Sequence, residues 1–421
     1  MQRLQAADKW LGRLACAVLQ PLRWFRGRQR QVGQPQRILL VKFWGIGSLQ
    51  LLTPAARCLR ERHPGAQLTL LTLAPNAEFV RGLGAFDEVL SLDVATSSWP
   101  RVFRRILGLV RELRRRKFGA VYDFEFFTRF SAVITLLSGA RERSGFAAPE
   151  VWRGGFHTRT IPFNRYWHVA RNFRCLAGGE NGLPVTPEEV VPFQVQPTHR
   201  AEFDRVLSEV GAELESGSEL IVLNPNAGSL SLERRWPPTH FAQLARRIVQ
   251  GAGARVALVG APSEQPWVAG IAAMTSDLPA GQVVNLAGKL SIGGLHALFE
   301  RASLFVSNDS GPMHLAAASG TPTVGLCGRE TPMMYAPLGA RARSVYRPPA
   351  CSPCINVHDN KVSACVRGRP ECLTNLTVDH VLAEMRALVG DASGNELRLI
   401  ASQADAAEAP KQPKNGRQAA P

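Results

Sequence analysis

The chain has 421 residues, of which 45% are hydrophobic and 20% are charged. This length accommodates two domains with complete cores, and the composition excludes a fibrous protein or a wholly disordered one. The net charge of +16 predicts an anionic partner, which is a membrane surface, a nucleic acid or a phosphorylated substrate.

The chain contains no apolar run of about 18 residues or more, so no membrane-spanning helix is expected. No secretory signal is evident either. Four cysteines are scattered singly, which is typical of a reducing compartment rather than of a disulfide scaffold; they are Cys16, Cys58, Cys175 and Cys327. A cytoplasmic protein is therefore expected.

Residues 1–34 are predicted to form a basic amphipathic extension. Trp10, Leu14, Val18 and Leu22 recur at four-residue spacing among several arginines, as in helices that lie on an anionic membrane face. The alternative is a helix that packs on the body of the protein, and Pro21 interrupts the helical pattern.

Apolar runs bounded by turn residues predict buried strands in two successive α/β domains, residues 35–190 and 191–390. A tail at 391–421, rich in Ala, Gln, Lys and Pro, is expected to be disordered. The predicted strands are Arg37–Lys42, Gln67–Leu73, Val89–Leu92, Gly119–Phe124, Leu220–Leu223, Arg255–Val259, Leu304–Ser307 and Thr323–Cys327.

Residues 101–117 are predicted to form a helix with an apolar face. Eight basic side chains accompany a single acid, Glu112. This imbalance indicates either a solvated helix face or a phosphate-rich neighbour.

Residues 304–328 form a unit of strand, polar turn, helix and strand. Pro312 suits the first helical turn, and Gly311 lets a ligand approach the backbone closely. The free amides and positive dipole end of this helix are suited to a diphosphate, and His314 adds a donor. The alternative is an ordinary capped helix in an α/β core.

The string Asn308-Asp309-Ser310-Gly311-Pro312-Met313-His314-Leu315-Ala316-Ala317-Ala318 resembles glycosyltransferase family 9, the ADP-heptose:lipopolysaccharide heptosyltransferases. The likeness extends over most of residues 37–385. It implies a GT-B fold, in which two doubly wound Rossmann-like domains face a cleft. The N-terminal domain would bind the acceptor and the C-terminal domain the nucleotide sugar.

The same resemblance assigns the donor site residue by residue. Arg234, and next Arg235, would neutralise the diphosphate, Glu264 would contact the nucleoside and Leu290 would lie against the base. The full expected set is Gly228, Ser229, Arg234, Arg235, Glu264, Leu290, Asp309, Ser310, Gly311 and His314.

The catalytic base departs from the family pattern. Where the family has Gly-Asp after the first strand, this chain has Gly47-Ser48, and serine cannot act as a carboxylate base at neutral pH. Asp123 lies near the carboxyl end of a predicted strand and Glu125 follows that strand, so both are candidate substitutes, although Asp123 is equally suited to a structural cap.

The resemblance also indicates the acceptor side and a turn. Acceptor-binding residues are expected to be Gly45, Gly47, Arg129 and His168, and Arg141–Phe146 matches a family turn.

No cofactor and no metal is expected. Cys351, Cys354, Cys365 and Cys372 are spaced C-x2-C-x10-C-x6-C, in which the two-residue spacing suits half of a zinc site and the remainder is not a common finger. Zinc therefore stays an alternative to a reduced cysteine cluster.

The expected function is inverting transfer of a sugar, heptose from ADP-heptose, to a lipopolysaccharide-core or related acceptor. The expected partners are the nucleotide sugar, an anionic or lipid-linked saccharide and the inner-membrane surface, but not nucleic acid. The alternatives are a relative that uses another nucleotide sugar, and a non-catalytic nucleotide-sugar-binding protein that has lost the base.

Overall fold

The computed structural model describes residues 2–22, 33–95, 98–126, 128–147, 151–178, 182–211, 218–228, 231–355 and 365–390. Within these ranges the chain forms two six-stranded sheets whose neighbouring strands are all parallel. No helix of the described part is both long enough and apolar enough to cross a membrane.

The first sheet has the strand order β3-β2-β1-β4-β5-β6. Its strands are β1 (Arg37–Val41), β2 (Gln67–Leu73), β3 (Glu88–Leu92), β4 (Ala120–Asp123), β5 (Glu142–Ala147) and β6 (Arg159–Pro162). The accompanying helices are α1 (Gln2–Leu19), α2 (Ile46–Gln50), α3 (Thr53–Arg62), α4 (Ala77–Leu83), α5 (Trp99–Arg116), α6 (Arg129–Leu137) and α7 (Val169–Leu176).

The second sheet repeats this arrangement, with the order β12-β11-β10-β7-β8-β9. Its strands are β7 (Leu220–Asn224), β8 (Arg255–Leu258), β9 (Val283–Asn285), β10 (Leu304–Asn308), β11 (Thr323–Cys327) and β12 (Ala342–Tyr346). The helices are α8 (Pro197–Glu209), α9 (Pro238–Ala252), α10 (Gln265–Ala273), α11 (Ile292–Arg301), α12 (Gly311–Ala318), α13 (Pro332–Tyr335), α14 (Glu371–Thr374) and α15 (Val378–Gly390).

Alternate residues of the central strands enter different cores, which is why the strands appear in the sequence as continuous apolar runs. Ile38 and Leu40 of β1 face a core that continues into the second sheet. Leu39 and Val41 face the opposite core, which α5 and α6 cover. Helix α1 packs on α6 through Cys16, so α1 lies on the side of the first domain that α6 covers.

The strand order places a topological switch in each sheet, between β1 and β4 in the first and between β7 and β10 in the second. Connections diverge at such a switch and leave a crevice at the carboxyl ends of the strands. The segments that follow these four strands carry Ser48, Glu125, Arg234 and Asp309.

All eight predicted strands are confirmed, with bounds that are identical or differ by one residue at one or both ends. The turn predicted at Arg141–Phe146 is wrong, because residues Glu142–Ala147 are strand β5. This segment can be buried because the charge of Arg143 is satisfied. Its buried guanidinium donates to the carbonyls of Phe156 and Ala140, both at 2.7 Å.

The predicted N-terminal extension is a helix from Gln2 to Leu19, and residues 23–32 lie outside the described residues, as does the tail at 391–421. This helix packs on the body of the protein with one face, and another face carries exposed apolar side chains. Cys16 is buried against α6, whereas Trp10, Leu14 and Val18 are 69%, 62% and 67% exposed. The domain boundaries drawn from the sequence stay a prediction.

Candidate active site

The donor side is built on the loops that follow β7 and β10. Arg234 donates to the Asp309 carboxylate at 3.2 Å and to the Ala227 carbonyl at 2.7 Å. Its Nε has no hydrogen-bond partner among the described residues. This arrangement fixes the guanidinium plane, and an arginine held in this way is suited to neutralising a phosphate group.

A network of polar side chains holds the turn before α12. The Asn224 amide donates to the hydroxyls of Ser307 at 3.0 Å and of Ser310 at 2.9 Å. Ser310 precedes α12 without a side-chain cap to its amides. The hydroxyl predicted to face the donor therefore faces Asn224, while the first-turn amides of α12 have no cap from Ser310.

Helix α12 meets the acceptor-side loop at close range. A Cβ on Gly47 would stand 2.5 Å from His314 Cδ2 and 3.2 Å from Gly311 Cα, and a Cβ on Gly311 would overlap Ile46. Only glycine permits this approach of the two backbones. Gly47, Gly311 and His314, which the sequence assigned to opposite substrates, are thus brought together across the cleft.

Glu125 lies in the acceptor domain just after β4 and is fully buried. Its Oε1 accepts from Lys42 Nζ at 2.9 Å and from the backbone amides of Phe43 and Trp44 at 2.8 Å each. Its Oε2 has no hydrogen-bond partner among the described residues. One oxygen is therefore held rigidly, and the other is a buried acceptor without a hydrogen-bond partner among the described residues.

Tyr335 of the C-terminal domain shows where Glu125 lies relative to the donor side. Burial raises the pKa of Tyr335, and the carboxylates of Glu330, Asp309 and Glu125 add to the rise while Arg234 opposes it. Glu125 therefore lies close enough to Tyr335 to affect its pKa. Asp309 and Arg234, two of the predicted donor-binding residues, also affect the pKa of Tyr335.

Asp123, the other candidate base, has both of its oxygens occupied. Oδ2 pairs with Arg153 and contacts Ser131 Oγ at 3.0 Å and His157 Nε2 at 3.1 Å, while Oδ1 accepts from the Glu125 amide at 3.1 Å. Burial alone would raise the pKa of Asp123, but Arg153 and His157 outweigh burial and lower it. This geometry is that of a structural carboxylate.

Ser48 lies in the first turn of α2 and is half-buried, next to Gly45, whose φ of 82° is in the left-handed region. The structure thus places Ser48, Gly45 and Gly47 in one turn at the cleft.

Arg129 and His168 lie at other places in the fold. Arg129 begins α6 and is 4% exposed beneath α1, where Asp8 accepts from its amide at 3.0 Å. His168 caps α7 and bridges the domains, because its Nε2 lies 3.0 Å from the Ala336 carbonyl. Burial lowers the pKa of His168 to about 4, so the bridging imidazole is neutral.

The predicted nucleoside side forms a separate cluster of the second domain. The Arg235 guanidinium lies 4.7 Å from the Trp267 ring centroid. Burial lowers the pKa of Arg235, and the nearby Glu264 carboxylate opposes this. Leu290 is half-buried. Gly228 is in the left-handed region with φ 66°, and Ser229 lies outside the described residues.

Cys351, Cys354, Cys365 and Cys372 lie near one another. Burial raises the pKa of Cys372 to about 11, and Cys354, Cys351 and Cys365 add to the rise. Among the described residues, no group of three or more His, Cys, Asp or Glu side chains is arranged to hold a metal ion.

Sequence reasoning missed two residues of the site, Lys42 and Tyr335. Lys42 directly follows β1 and is only 1% exposed. A lysine at the end of an apolar strand was an available signal, since a buried lysine needs a partner. Tyr335 has no comparable sequence signal, because only the packing of the two domains brings it near Glu125.

Relatives of this chain include lipopolysaccharide heptosyltransferases. Lipopolysaccharide heptosyltransferase 2 of Escherichia coli K12 is 23% identical over 359 residues, covering 84% of this chain and 98% of that protein. Lipopolysaccharide heptosyltransferase 1 of Pseudomonas aeruginosa is 25% identical over 375 residues, with coverage of 84% and 98%.

Solved structures share the fold. The Escherichia coli ADP-heptose lipopolysaccharide heptosyltransferase II has a TM-score of 0.66 at 22% identity, covering 85% of this chain and 100% of that one. An Escherichia coli heptosyltransferase solved with ADP has a TM-score of 0.61 at 19% identity, with coverage of 84% and 99%. The predicted GT-B fold is therefore confirmed.

The family model for glycosyltransferase family 9 (heptosyltransferase) matches residues 106–363, which is more than half of the chain. The site geometry, the fold and this match agree, and the chain is a glycosyltransferase that belongs to glycosyltransferase family 9.

Proposed function

We propose that this enzyme transfers heptose from ADP-heptose to a saccharide of the lipopolysaccharide core, by one displacement with inversion and without a metal ion. The observation that carries the proposal is the contact of the α12 N-terminus with the acceptor-side turn at Gly47. Relatives with heptosyltransferase names support this choice of sugar, as does an Escherichia coli heptosyltransferase solved with an ADP-heptose analogue.

The departing diphosphate is stabilised by groups that the fold holds in place before reaction. Arg234 is oriented by Asp309 and Ala227 and places a fixed positive charge beside the N-terminus of α12. The first-turn amides of α12 add the positive end of a helix dipole, and His314 lies in the same turn. Donors that are already oriented cost no reorganisation when charge develops.

Glu125 acts as the base in this proposal. The acceptor oxygen forms a bond to the anomeric carbon as the bond from that carbon to the diphosphate breaks, and the acceptor proton passes to Glu125 Oε2. Lys42 and two backbone amides hold Oε1, which fixes the position of the carboxylate. Asp123 is not chosen, because Arg153, His157 and Ser131 occupy its oxygens.

The acceptor is proposed to be lipid-linked, so the reaction takes place at the face of the inner membrane. The exposed Trp10, Leu14 and Val18 of α1 would enter the interfacial region of the bilayer. Arg13, which is also exposed on α1, would lie near anionic headgroups.

One observation favours a second candidate, a binding protein that retains the donor site without catalysis. Ser48 occupies the place where the family has its carboxylate. In that case the protein would bind ADP-sugars and transfer nothing, and Glu125 would serve only to pair with buried Lys42.

A screen for transfer and for donor hydrolysis with ADP-, UDP- and GDP-sugars tests both candidates. We expect transfer from ADP-heptose to a core-type acceptor, with the opposite anomeric configuration in the product by NMR. Arg234→Gln should weaken ADP binding by about tenfold, the scale of one hydrogen bond to a charged group. Transfer from a UDP- or GDP-sugar alone would overturn the donor assignment, and ADP-sugar binding without turnover would favour the binding protein.

A further inference from the structure

We propose that the first half of α5 is a second membrane-contact element, which binds anionic phospholipid and turns the cleft edge of the N-terminal sheet towards the bilayer. The proposal deepens the proposed function, on which it rests in so far as the acceptor is lipid-linked.

Helix α5 has more apolar side chains than its core uses. Val102, Val110 and Leu113 are buried in the core beneath α5. Trp99, Phe103 and Leu107 are 55%, 61% and 37% exposed. Their four-residue spacing sets them in one line along the helix, and contiguous exposed apolar surface of this kind marks an interaction site.

The charges beside this line identify the partner as anionic. Arg105, Arg115 and Arg116 pair with Asp93, Glu112 or Glu88. Arg101, Arg104 and Arg111 are exposed, and none of the three makes an ion pair within the part of the chain that the structure describes. Large aromatic side chains next to unneutralised arginines suit a membrane interface with anionic headgroups. A second copy of the chain is disfavoured, because it would bring like charges together.

The relative lengths of the helices show where this surface points. Helices α5 and α6 each connect parallel strands and therefore run in the same direction, opposite to the strands. Their C-terminal ends coincide, since Arg114 Nε donates to the Leu137 carbonyl at 3.0 Å. Helix α5 has 18 residues and α6 has 9. The N-terminal end of α5 therefore extends about 13 Å beyond the start of α6. That extension lies towards the carboxyl ends of the strands, the edge that carries Glu125.

Helix α1 lies against α6 in the same direction. Asp8 reaches the amides of Arg129 and Phe130 at the start of α6, and Cys16 packs further along it against Leu136. The exposed lines of α1 and α5 thus flank α6 on one side of the first domain. A bilayer that contacts both would lie beside the edge at which a lipid-linked acceptor enters.

Vesicle binding by the full-length chain tests the proposal. The probes are vesicles of phosphatidylglycerol with phosphatidylethanolamine and vesicles of phosphatidylcholine alone. We expect Trp99→Ser with Phe103→Ser to weaken binding to the anionic vesicles by about tenfold or more, because two large apolar side chains leave the interface. The matched control is Met274→Ser, an apolar side chain that is 40% exposed in the C-terminal domain.

A second variant pair, Arg104→Gln with Arg111→Gln, leaves the apolar side chains unchanged. It should weaken binding at low salt and lose most of its effect at high salt. Wild-type binding by either variant pair would overturn the proposal. So would equal binding of the wild-type chain to phosphatidylcholine, or a change of oligomeric state in place of vesicle binding.

Turnover of a lipid-free acceptor fragment separates this inference from the proposed function. It should be the same in wild type and in all of these variants. If the wild-type chain transfers no sugar but the α5 variants lose vesicle binding, the membrane inference stands and the proposed function fails.

Discussion

The two halves of the cleft differ in how closely they follow the family. The predicted donor half carries the Asn308–Ala318 string and Arg234, whereas the predicted acceptor half has Ser48 at the position where the resemblance implies an aspartate. The family match begins at residue 106, so β1, α2 and the turn containing Ser48 precede it. A diphosphate imposes the same requirements on every donor site, while an acceptor site is free to move its catalytic group, provided that the group still reaches the anomeric carbon.

The acceptor half also contains two buried carboxylates with opposite surroundings. Asp123 is enclosed by Arg153, His157 and Ser131, whereas Glu125 retains one oxygen without a hydrogen-bond partner among the described residues. Two acidic residues separated by one position in the sequence therefore differ in what they can do. The predictions that follow test this contrast and the contrast between the halves.

The largest expected effect is that of Glu125→Gln. Glutamine keeps the shape of the side chain but cannot accept the acceptor proton, so turnover should fall by about a hundredfold or more, the scale of a positioned general base. ADP affinity should stay within about twofold, because no ion pair of the donor side is altered. Steady-state kinetics and calorimetric titration measure the two effects. Wild-type turnover would rule out Glu125 as the base.

Asp123→Asn should act on stability rather than on chemistry. Removing one partner of a buried ion pair leaves Arg153 uncompensated and should lower the free energy of unfolding by about 3 kcal/mol. Urea denaturation measures this loss. The assignment is contradicted if the variant keeps its stability and loses turnover as Glu125→Gln is expected to do.

The contact between the halves should weaken in acid through His168. Burial lowers its pKa from 6.5 to about 4. Between these pH values the unfolded chain binds more protons than the folded chain, so the free energy of unfolding rises with pH. The contribution of His168 to the free energy of unfolding is fully present above about pH 6.5. It falls by up to about 3 kcal/mol as the pH decreases through about 4.

Thermal melts of wild type and His168→Gln from pH 7.5 to pH 4.5 measure this dependence. The variant should lose part of the slope, and an unchanged slope would contradict a role for this bridge. Burial also lowers the pKa of His296, to about 3. His296 therefore makes the free energy of unfolding rise with pH as well, so the variant should keep some pH dependence.

The smallest expected effect is that of Ser48→Asp, which restores the family's carboxylate. If Glu125 already takes the proton, turnover should change by less than about tenfold, well below the scale of a newly supplied base. A large gain in transfer with one verified donor–acceptor pair would instead indicate that the wild-type chain lacks a base.

Much of the fold could be predicted from local patterns. Strands β2 and β11 have the predicted bounds, because strands buried on both faces are continuous apolar runs. The turn predicted at Arg141–Phe146 failed because the charge of Arg143 is satisfied by the carbonyls of Phe156 and Ala140. Those partners belong to other parts of the chain, so no local pattern carries this information.

The sequence by itself determined the two α/β domains and the donor string around Asp309, since both depend on residues that are adjacent in the chain. Tertiary structure alone decided which carboxylate has an oxygen without a partner among the described residues, because the groups that hold Glu125 and Asp123 come from the segment after β1, from α6 and from the loop around Arg153. It also decided that the apolar lines of α1 and α5 face away from the core. A helical period shows that side chains share a face, but only packing against α6 shows which face is covered.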